Sequence, residues 1–490
     1  MTAPPRLSSS TLRALPAGVR RPACAPEDTR IGIVHLGAGA FHRAHQAAYV
    51  DDLLAEDPRW AICGVSLRSP RVRDALRPQD GLYALATLDG GPSLRIVGAL
   101  REILCAADEG ATVLARLADP DVRLVTLTVT EKGYCLAGDG VDLAHPDIAH
   151  DLASPSTPRS AIGHVVAGLA RRRAAGVAPY TVLSCDNLAD NGGRLRRAAL
   201  AFAERIDRGL ADWIEREATF PRSMVDSITP ATDDALRARV DAGLGLHDAW
   251  PVQREPYAQW VVEDRFCNER PPLARAGVAL GDDVAGWDRA KLRLLNAPHS
   301  TLAYLGMLLE LDCVADAMRD PVLADFVARL MREDIAPSLA PLAGFDAAAY
   351  IAQILARFRN PDVHHRLSQI AWDGSQKLPV RLLGTIADAR AAGRPLARLC
   401  LPVAGWMRFV RRQASRGVAI VDPLAEQLAA VGRACTGDAA HDVAMFIALE
   451  WMFGSLSADD VFVSALRAAY TALERGVHAA IAVADADRQR

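Results

Sequence analysis

The stretch Ile31-Gly-Ile-Val-His-Leu36, then Gly37-Ala-Gly39-Ala40, then Phe41-His-Arg-Ala-His-Gln-Ala-Ala-Tyr-Val-Asp-Asp-Leu-Leu54 decides how this chain is read. An apolar run of strand type passes through two glycines into a segment whose Ala44, Ala47, Ala48 and Leu54 recur at helical spacing. A turn without Cβ atoms lets a pyrophosphate approach the backbone amides at the start of a helix. The third glycine of the usual dinucleotide fingerprint is absent, and His42 stands in its place. Taken alone, G-x-G serves equally well as a plain strand-to-helix turn. The order of elements around it points to dinucleotide binding.

Working outward, Trp60 to Leu67 reads as a second strand, followed by Arg68-Ser69-Pro70 where an acidic residue would hold ribose hydroxyls. Arg68 could face a 2′-phosphate or lie over the adenine, so NAD and NADP both stay open. Tyr83–Thr87 and Leu94–Leu100 are strand-like and form a hairpin around Asp89-Gly90-Gly91. A helix near Glu109–Leu117, a strand at Val122–Val129, a helix at Ala161–Ala175 and a strand at Tyr180–Ser184 complete an alternation expected of a doubly wound, mostly parallel sheet. Beyond Asp283 the texture changes to Ala/Leu/Arg segments of helical period, such as Arg289–Leu311, Pro321–Met331 and Ala347–Arg357. The expected division is a dinucleotide-binding α/β domain over residues 1–285 and a mostly α-helical domain over 286–490. Residues 1–30, rich in Pro and Arg, read as a loosely held arm.

Composition removes several function classes. A chain of 490 residues exceeds one compact core. Its 56 cations against 59 carboxylates, net −3, offer no strongly basic face for nucleic acid. No apolar run reaches the roughly 18 residues of a membrane span; the longest, near Val443–Phe453, is interrupted by Glu450. There is no charged-then-apolar leader at the start. Nine cysteines are scattered without a C-x-x-C pair, which suits a reduced cytoplasm and gives no support to a Cys-rich zinc site.

Of the 56 cations only Lys132, Lys291 and Lys377 are lysines. Guanidinium keeps its proton in a protein, whereas an ammonium can lose it when desolvated. A chain that writes nearly every cation as Arg marks these positions as candidates for a titratable amine. Asn is also scarce, at Asn187, Asn191, Asn268, Asn296 and Asn360. Two of these scarce types meet in Lys291-Leu-Arg-Leu-Leu-Asn296-Ala-Pro-His299. At about 100° per residue His299 shares a face with Lys291, while Asn296 lies on the flank unless Pro298 bends the helix end. Such a group suits proton transfer; a surface Lys, a helix-terminal Asn and a core His explain it equally well. Ser184-Cys-Asp-Asn187 and Thr130-Glu-Lys-Gly-Tyr134 each follow a strand end, the edge where ligands of open sheets bind. Loop cap and solvated turn are their plain alternatives.

The motifs GAGAFHRAHQ, TVTEKGY, SCDNL..NG, EPYAQWVVED, KLRLLNAPHS and DGSQKLPVR occur in the order found in the long-chain polyol-specific (mannitol) dehydrogenases, a family the chain resembles over about residues 30 to 480. The resemblance implies a Rossmann-type N-terminal domain, a helical C-terminal domain, NAD(P) and no metal. It implies that Lys291 is the general base, that Asn187 and Asn296 hold the reacting oxygen, and that His299 positions the substrate. Gly37, Gly39 and Phe41 fall in its cofactor motif; Asp226 and Lys377 match positions lining the sugar pocket. Two departures stand out. The family often has Arg where Ser227 follows Asp226, and Glu where Asp288 precedes the base and would relay protons.

The motif Asp373-Gly-Ser-Gln-Lys377-Leu-Pro-Val-Arg381 looks more like the fructuronate reductase branch than the mannitol branch, and Lys377 or Arg381 could pair with a uronate carboxylate. The expectation is therefore a monomeric NAD(P)-dependent secondary-alcohol dehydrogenase for D-mannonate/D-fructuronate. Neutral polyols such as mannitol or arabinitol are the alternative substrates. A hydroxyacid dehydrogenase of the 6-phosphogluconate type and a non-catalytic NAD-sensing protein are the alternatives from other classes.

Overall fold

The computed structural model describes residues 4–138 and 140–487, and the chain divides into two compact units, Met1–Ala285 and Gly286–Arg490. The first unit is built on five parallel strands: β1 (Ile31–Leu36), β2 (Ala61–Ser66), β5 (Leu100–Cys105), β6 (Leu124–Leu127) and β9 (Thr181–Ser184), in the spatial order β5-β2-β1-β6-β9. Each is buried on both faces, which is why the sequence shows apolar runs rather than alternation. Side chains still alternate in direction. Ile33, Leu124 and Leu183 join one core with Ala47, Ala48 and Leu53, while Val34, Val125 and Val182 join the opposite core with Leu114, Val165 and Phe202. Helices thus cover both faces, as expected of a doubly wound sheet.

A second sheet joins β3 (Tyr83–Leu88), β4 (Pro92–Val97) and β11 (Val252–Arg254), and a third joins β10 (Ser223–Asp226), β12 (Gln259–Glu263) and β13 (Ala279–Gly281). A short ribbon pairs β7 (Leu136–Ala137) with β8 (Gly140–Val141). β3 and β4 form the antiparallel hairpin read around Gly90. The run Leu94–Leu100, expected as one strand, is two: Gly98 donates its amide to Asp51 at 2.7 Å and sits 3.0 Å from the Pro22 ring where a Cβ would be. There the chain leaves the hairpin and enters the main sheet as β5.

Two other expectations are corrected. Phe41–Leu54 is not one helix but α1 (Ala40–Ala44) and α2 (Gln46–Leu53), broken at His45 with φ −115°, ψ −89°. The break persists because tertiary donors take the freed carbonyls: Tyr83 Oη donates to Arg43 O at 2.7 Å and Arg254 Nη1 to Ala44 O at 2.9 Å. The described part of the 1–30 arm is not loose. The Leu7 amide donates to His247 O and the His247 amide to Pro5 O, and Arg20 exchanges backbone bonds with Leu94 and Ile96. Leu7, Leu15 and Val19 are buried with Leu82, Ile96 and Leu244. At about 1.5–3 kcal/mol per buried aliphatic side chain, that is an anchor.

The second unit is helical; its isolated bridge joins Cys313 to Arg366. The 19-residue helix Ala397–Ser415 packs against Ala297–Leu308, Ala425–Ala434 and Asp460–Ala472. Wide turns occupy Leu292–Asn296, Leu330–Ile335 and Pro379–Leu383, each closed by an amide bonding a carbonyl five residues back. Each lies beside or contains a proline (Pro298, Pro337, Pro379), a residue whose ring and missing N–H disturb the regular helical ladder. The first packs against the other two. No helix among the described residues is long and apolar enough to cross a membrane.

Candidate active site

β1 ends at Gly37, whose φ of +99° belongs to glycine and whose Cβ would lie 2.1 Å from Thr128 O. Gly39 then starts α1 without a capping side chain, and a Cβ there would meet only Gly37 O, at 3.8 Å. The first-turn amides therefore face open space, the arrangement that takes a phosphate. They border a cleft of about 700 Å³ at the carboxyl ends of β1, β2 and β6, lined by Gly37, Gly39, Leu67, Arg68 and Thr128 among others. Its size and its uncapped amides fit a dinucleotide.

The missing third glycine is explained by imidazole stacking. His42 lies flat on His35, with ring centroids 3.3 Å apart and planes 10° from parallel. Thr126 and Thr128 hydroxyls and Gly37 O hold His35 in place. Burial drives His35 down to about 3 and His42 well below its ordinary range, so both rings are neutral and can stack. Phe41, in the first turn of α1, stacks on His45 at 5.0 Å. Arg68 is exposed over the cleft and pairs with Asp147 at 2.7 Å.

Cys135, His145 and Asp147 bring ligand-type atoms within 4.8 Å at this cleft. They are already engaged: His145 Nδ1 accepts the Asp147 amide, Asp147 holds Arg68, and burial pushes the Cys135 thiol up to about 11.

Beyond β9, Asp186 does structural work that the sequence did not announce. Its carboxylate accepts the amides of Val129 and Thr130 at 3.0 and 2.9 Å and the Tyr134 hydroxyl at 2.7 Å. It thereby tethers the Thr130–Tyr134 loop, with Thr130 at φ +65°, to the end of β9. Burial raises the Asp186 carboxyl while these donors oppose the shift. Asn191 ties β9 to β10 through Ser184 O and Ser223 O. Asn187, next to Asp186, is exposed at the sheet edge, and Asp226 is buried at the end of β10. Ser227 spends its hydroxyl on Tyr257 O.

In the helical unit the Lys291–His299 segment is not a helix end. It continues to Leu308, and the wide turn Leu292–Asn296 changes its phase. A turn hydrogen-bonded five residues apart holds more residues than a regular one, which shifts Asn296 toward the Lys291 side compared with an unbroken α-helix. Lys291 and His299 are each 7% exposed, and Asp288 and Asn296 are half-buried. Arg293 braces the turn, reaching Ser338 and Asp388.

Arg381, on the third wide turn, donates to Ser300 Oγ at 3.0 Å and Asn296 O at 3.4 Å, and burial lowers it to about 10. Lys377 lies 3.9 Å from Asp373; burial and then Arg381 lower it. The motif around it is sterically dictated, since a Cβ at Gly374 would lie 2.6 Å from both Trp406 Nε1 and Tyr304 Oη. His299 packs on Phe358, and burial, then His365, Arg381 and Arg357 push it well below its ordinary range. The helical unit thus brings Asn296, His299, Lys377 and Arg381 together, with Ser300, Phe358 and His365 as members no sequence signal marked.

Residues 31–275 match the family model described as the mannitol dehydrogenase Rossmann domain, and residues 283–474 match its C-terminal domain. The chain belongs to the mannitol dehydrogenase family. Within this family of oxidoreductases it is 40% identical to D-mannonate oxidoreductase of Escherichia coli, over 92% of this chain and 95% of that one. It is equally 40% identical to mannitol 2-dehydrogenase of Phaeosphaeria nodorum, over 97% of this chain and 85% of the relative. Mannitol 2-dehydrogenase of Pseudomonas fluorescens, solved with NAD and D-mannitol, superimposes with a TM-score of 0.82 at 38% identity, covering 98% and 99% of the two chains. Equal identity to an aldonate enzyme and a polyol enzyme leaves the substrate to be argued from the site.

Proposed function

We propose that this mannitol dehydrogenase family member is an NAD-dependent secondary-alcohol dehydrogenase that interconverts D-mannonate and D-fructuronate. The observation that carries the reading is the cationic cluster of the helical unit. Arg381 acts on both His299 and Lys377, and the charged groups that act on His299 are all cationic or imidazole, while Asp373 and Asp422 act on Lys377. Such surroundings favour a substrate bearing a carboxylate over a neutral polyol.

In the oxidative direction the hydroxyl proton passes to Lys291 Nζ; a nicotinamide dinucleotide held by the glycine turn would supply the hydride acceptor. Lys291 is buried, and an amine, unlike a guanidinium, can give up its proton and act as a base. Asn187 and Asn296 donate N–H to the developing alkoxide, His299 orients the substrate, and Asp226 lines the pocket. Asp288, three residues before Lys291, returns the proton to solvent. Gly37, Gly39 and Phe41 seat the cofactor, with Arg68 over its adenosine end. The molecule works as a cytoplasmic monomer, in two domains of residues 1–285 and 286–490.

The test is a reduction panel of NAD and NADP against D-mannonate, D-altronate, D-mannitol and D-arabinitol. A higher kcat/KM for the aldonates than for the neutral polyols is expected. Turnover confined to the neutral polyols overturns the substrate assignment, and cofactor binding with no turnover anywhere overturns the enzyme.

A further inference from the structure

Outside the residues already given roles, the helical unit holds a second imidazole in the same cationic cluster. His365 lies between the short turn Pro361–Val363 and the helix Leu367–Ile370. Its backbone is pinned: the Val314 amide donates to His365 O at 3.0 Å, and the Leu367 amide to Asp312 O at 2.9 Å, around the Cys313–Arg366 bridge. Its ring stands edge-on to His299, with centroids 5.3 Å apart and planes at 79°. Lys377 and Arg381 both act on it electrostatically, and no carboxylate does. Asp373 lies 3.9 Å from Lys377, and Asp373 and Asp422 both act on that lysine.

The hydrogen-bond inventory is incomplete at this spot. His365 Nδ1 and His299 Nε2 are both sealed from solvent, and neither has a hydrogen-bond partner among the described residues. Leaving a buried polar nitrogen unsatisfied is destabilising, so each calls for a partner. The two nitrogens sit on adjoining rings, both under the electrostatic influence of Arg381, and lack an oxygen to bind, while Arg381 donates to Ser300 Oγ and Lys377 to Ile370 O. A neutral imidazole donates one N–H, Lys and Arg donate only, and the ligand chemistry that matches is an anionic oxygen pair.

We propose that His365 completes a carboxylate subsite with His299, Lys377 and Arg381, and that it selects the acid end of the substrate. This rests on the aldonate reading above and deepens it: Lys377 and Arg381 supply charge, while His365 supplies a directional N–H. His365 takes no part in hydride or proton transfer and is a specificity residue.

Steady-state kinetics with D-mannonate and D-mannitol test this on the full-length enzyme with saturating cofactor. His365→Phe keeps a ring packed on His299 but removes both nitrogens; His365→Asn keeps an amide N–H near the position of Nδ1. A charge-assisted hydrogen bond of about 1.5–3 kcal/mol corresponds to a rise of about ten-fold or more in KM for the aldonate in the Phe variant. Its kcat stays within about three-fold, KM for the polyol does not move, and the Asn variant recovers most of the loss. Equal changes in both KM values, or none in either, overturn the role of His365 while leaving the aldonate reading intact; an internal water bonded to the two rings gives the latter result. A wild-type enzyme that ignores aldonates overturns the aldonate reading first, and this subsite with it. If the Phe variant melts below the assay temperature, the Asn variant decides: a loss of aldonate KM there as large as in His365→Leu overturns the proposal.

Discussion

The glycine turn after β1 and the lysine-bearing helix of the second unit achieve site geometry by opposite means. At Gly37 and Gly39 the functional groups are backbone amides, and the side chains matter by being absent. Around Lys291 the proposed functional groups are side chains, carried on a helix that the wide turn Leu292–Asn296 interrupts. The first kind of site tolerates no added atom. The second tolerates no change in helix phase or in the chemistry of one nitrogen. The lesson is that the same enzyme should fail sterically at one end and chemically at the other.

The largest expected effect tests the chemical end. Lys291→Ala should lose about 10²–10⁴ in kcat, with partial recovery on adding small primary amines, and Lys291→Arg should be equally inactive because guanidinium keeps its proton. Wild-type-like turnover in Lys291→Arg, measured by NADH formation, would show that charge and not proton transfer is needed. The steric end is tested by a glycine pair. Gly37→Ala places a methyl 2.1 Å from Thr128 O at a left-handed φ and should lower Tm by several degrees as well as abolish cofactor binding. Gly39→Ala meets open space, so its Tm should hold while the Kd for NADH rises about ten-fold or more. Equal Tm losses in the two variants would erase the distinction drawn between them.

Acid should separate the two regions as well. His35 has its protonation pushed down to about 3 by burial, against an unfolded value near 6.5. The unfolded chain binds the extra proton, so this contribution to stability is intact above about pH 6.5. It is lost at up to about 1.4 kcal/mol per pH unit as the pH falls toward 3. His42 stacks on it and acts in the same sense. Thermal melts between pH 7 and 4.5 should show a falling Tm, and His35→Asn should flatten the slope; an unchanged slope would refute the stacking account. The smallest effect belongs to Arg68→Ala. An exposed pair is worth about 0–1 kcal/mol, so KM for NAD should move by no more than a few-fold with kcat unchanged. A much larger rise for NADP than for NAD would assign Arg68 to a 2′-phosphate.

The strand order and the cofactor turn were legible because their causes are local. Ile31–Leu36, Thr181–Ser184 and Gly37 carry apolar runs and a glycine whose meaning does not depend on distant residues. The break at His45 was not legible, since it exists only because Tyr83 and Arg254 arrive from 40 and 210 residues away to take the freed carbonyls. The arm shows the same limit. Its Pro- and Arg-rich composition reads as loose, but Leu7, Leu15 and Val19 find a core that local sequence cannot display. In the helical unit the rarity of Lys and Asn marked Lys291 and Asn296, and the motif order marked Lys377 and Arg381. His365 carried no mark, because its meaning comes from standing against His299, 66 residues earlier in the chain.

What the amino-acid order determined unaided was the alternation of strands and helices, the glycine turn, and the few amines and amides available for chemistry. These follow from backbone sterics, hydrophobic period and protonation chemistry, all set within a few residues. What the tertiary structure alone decided was the wide turn in the Lys291 helix, the neutrality of the stacked His35 and His42, and the gathering of His365 and Arg381 about His299. Those depend on burial and on partners distant in sequence, and the local order of residues encodes neither.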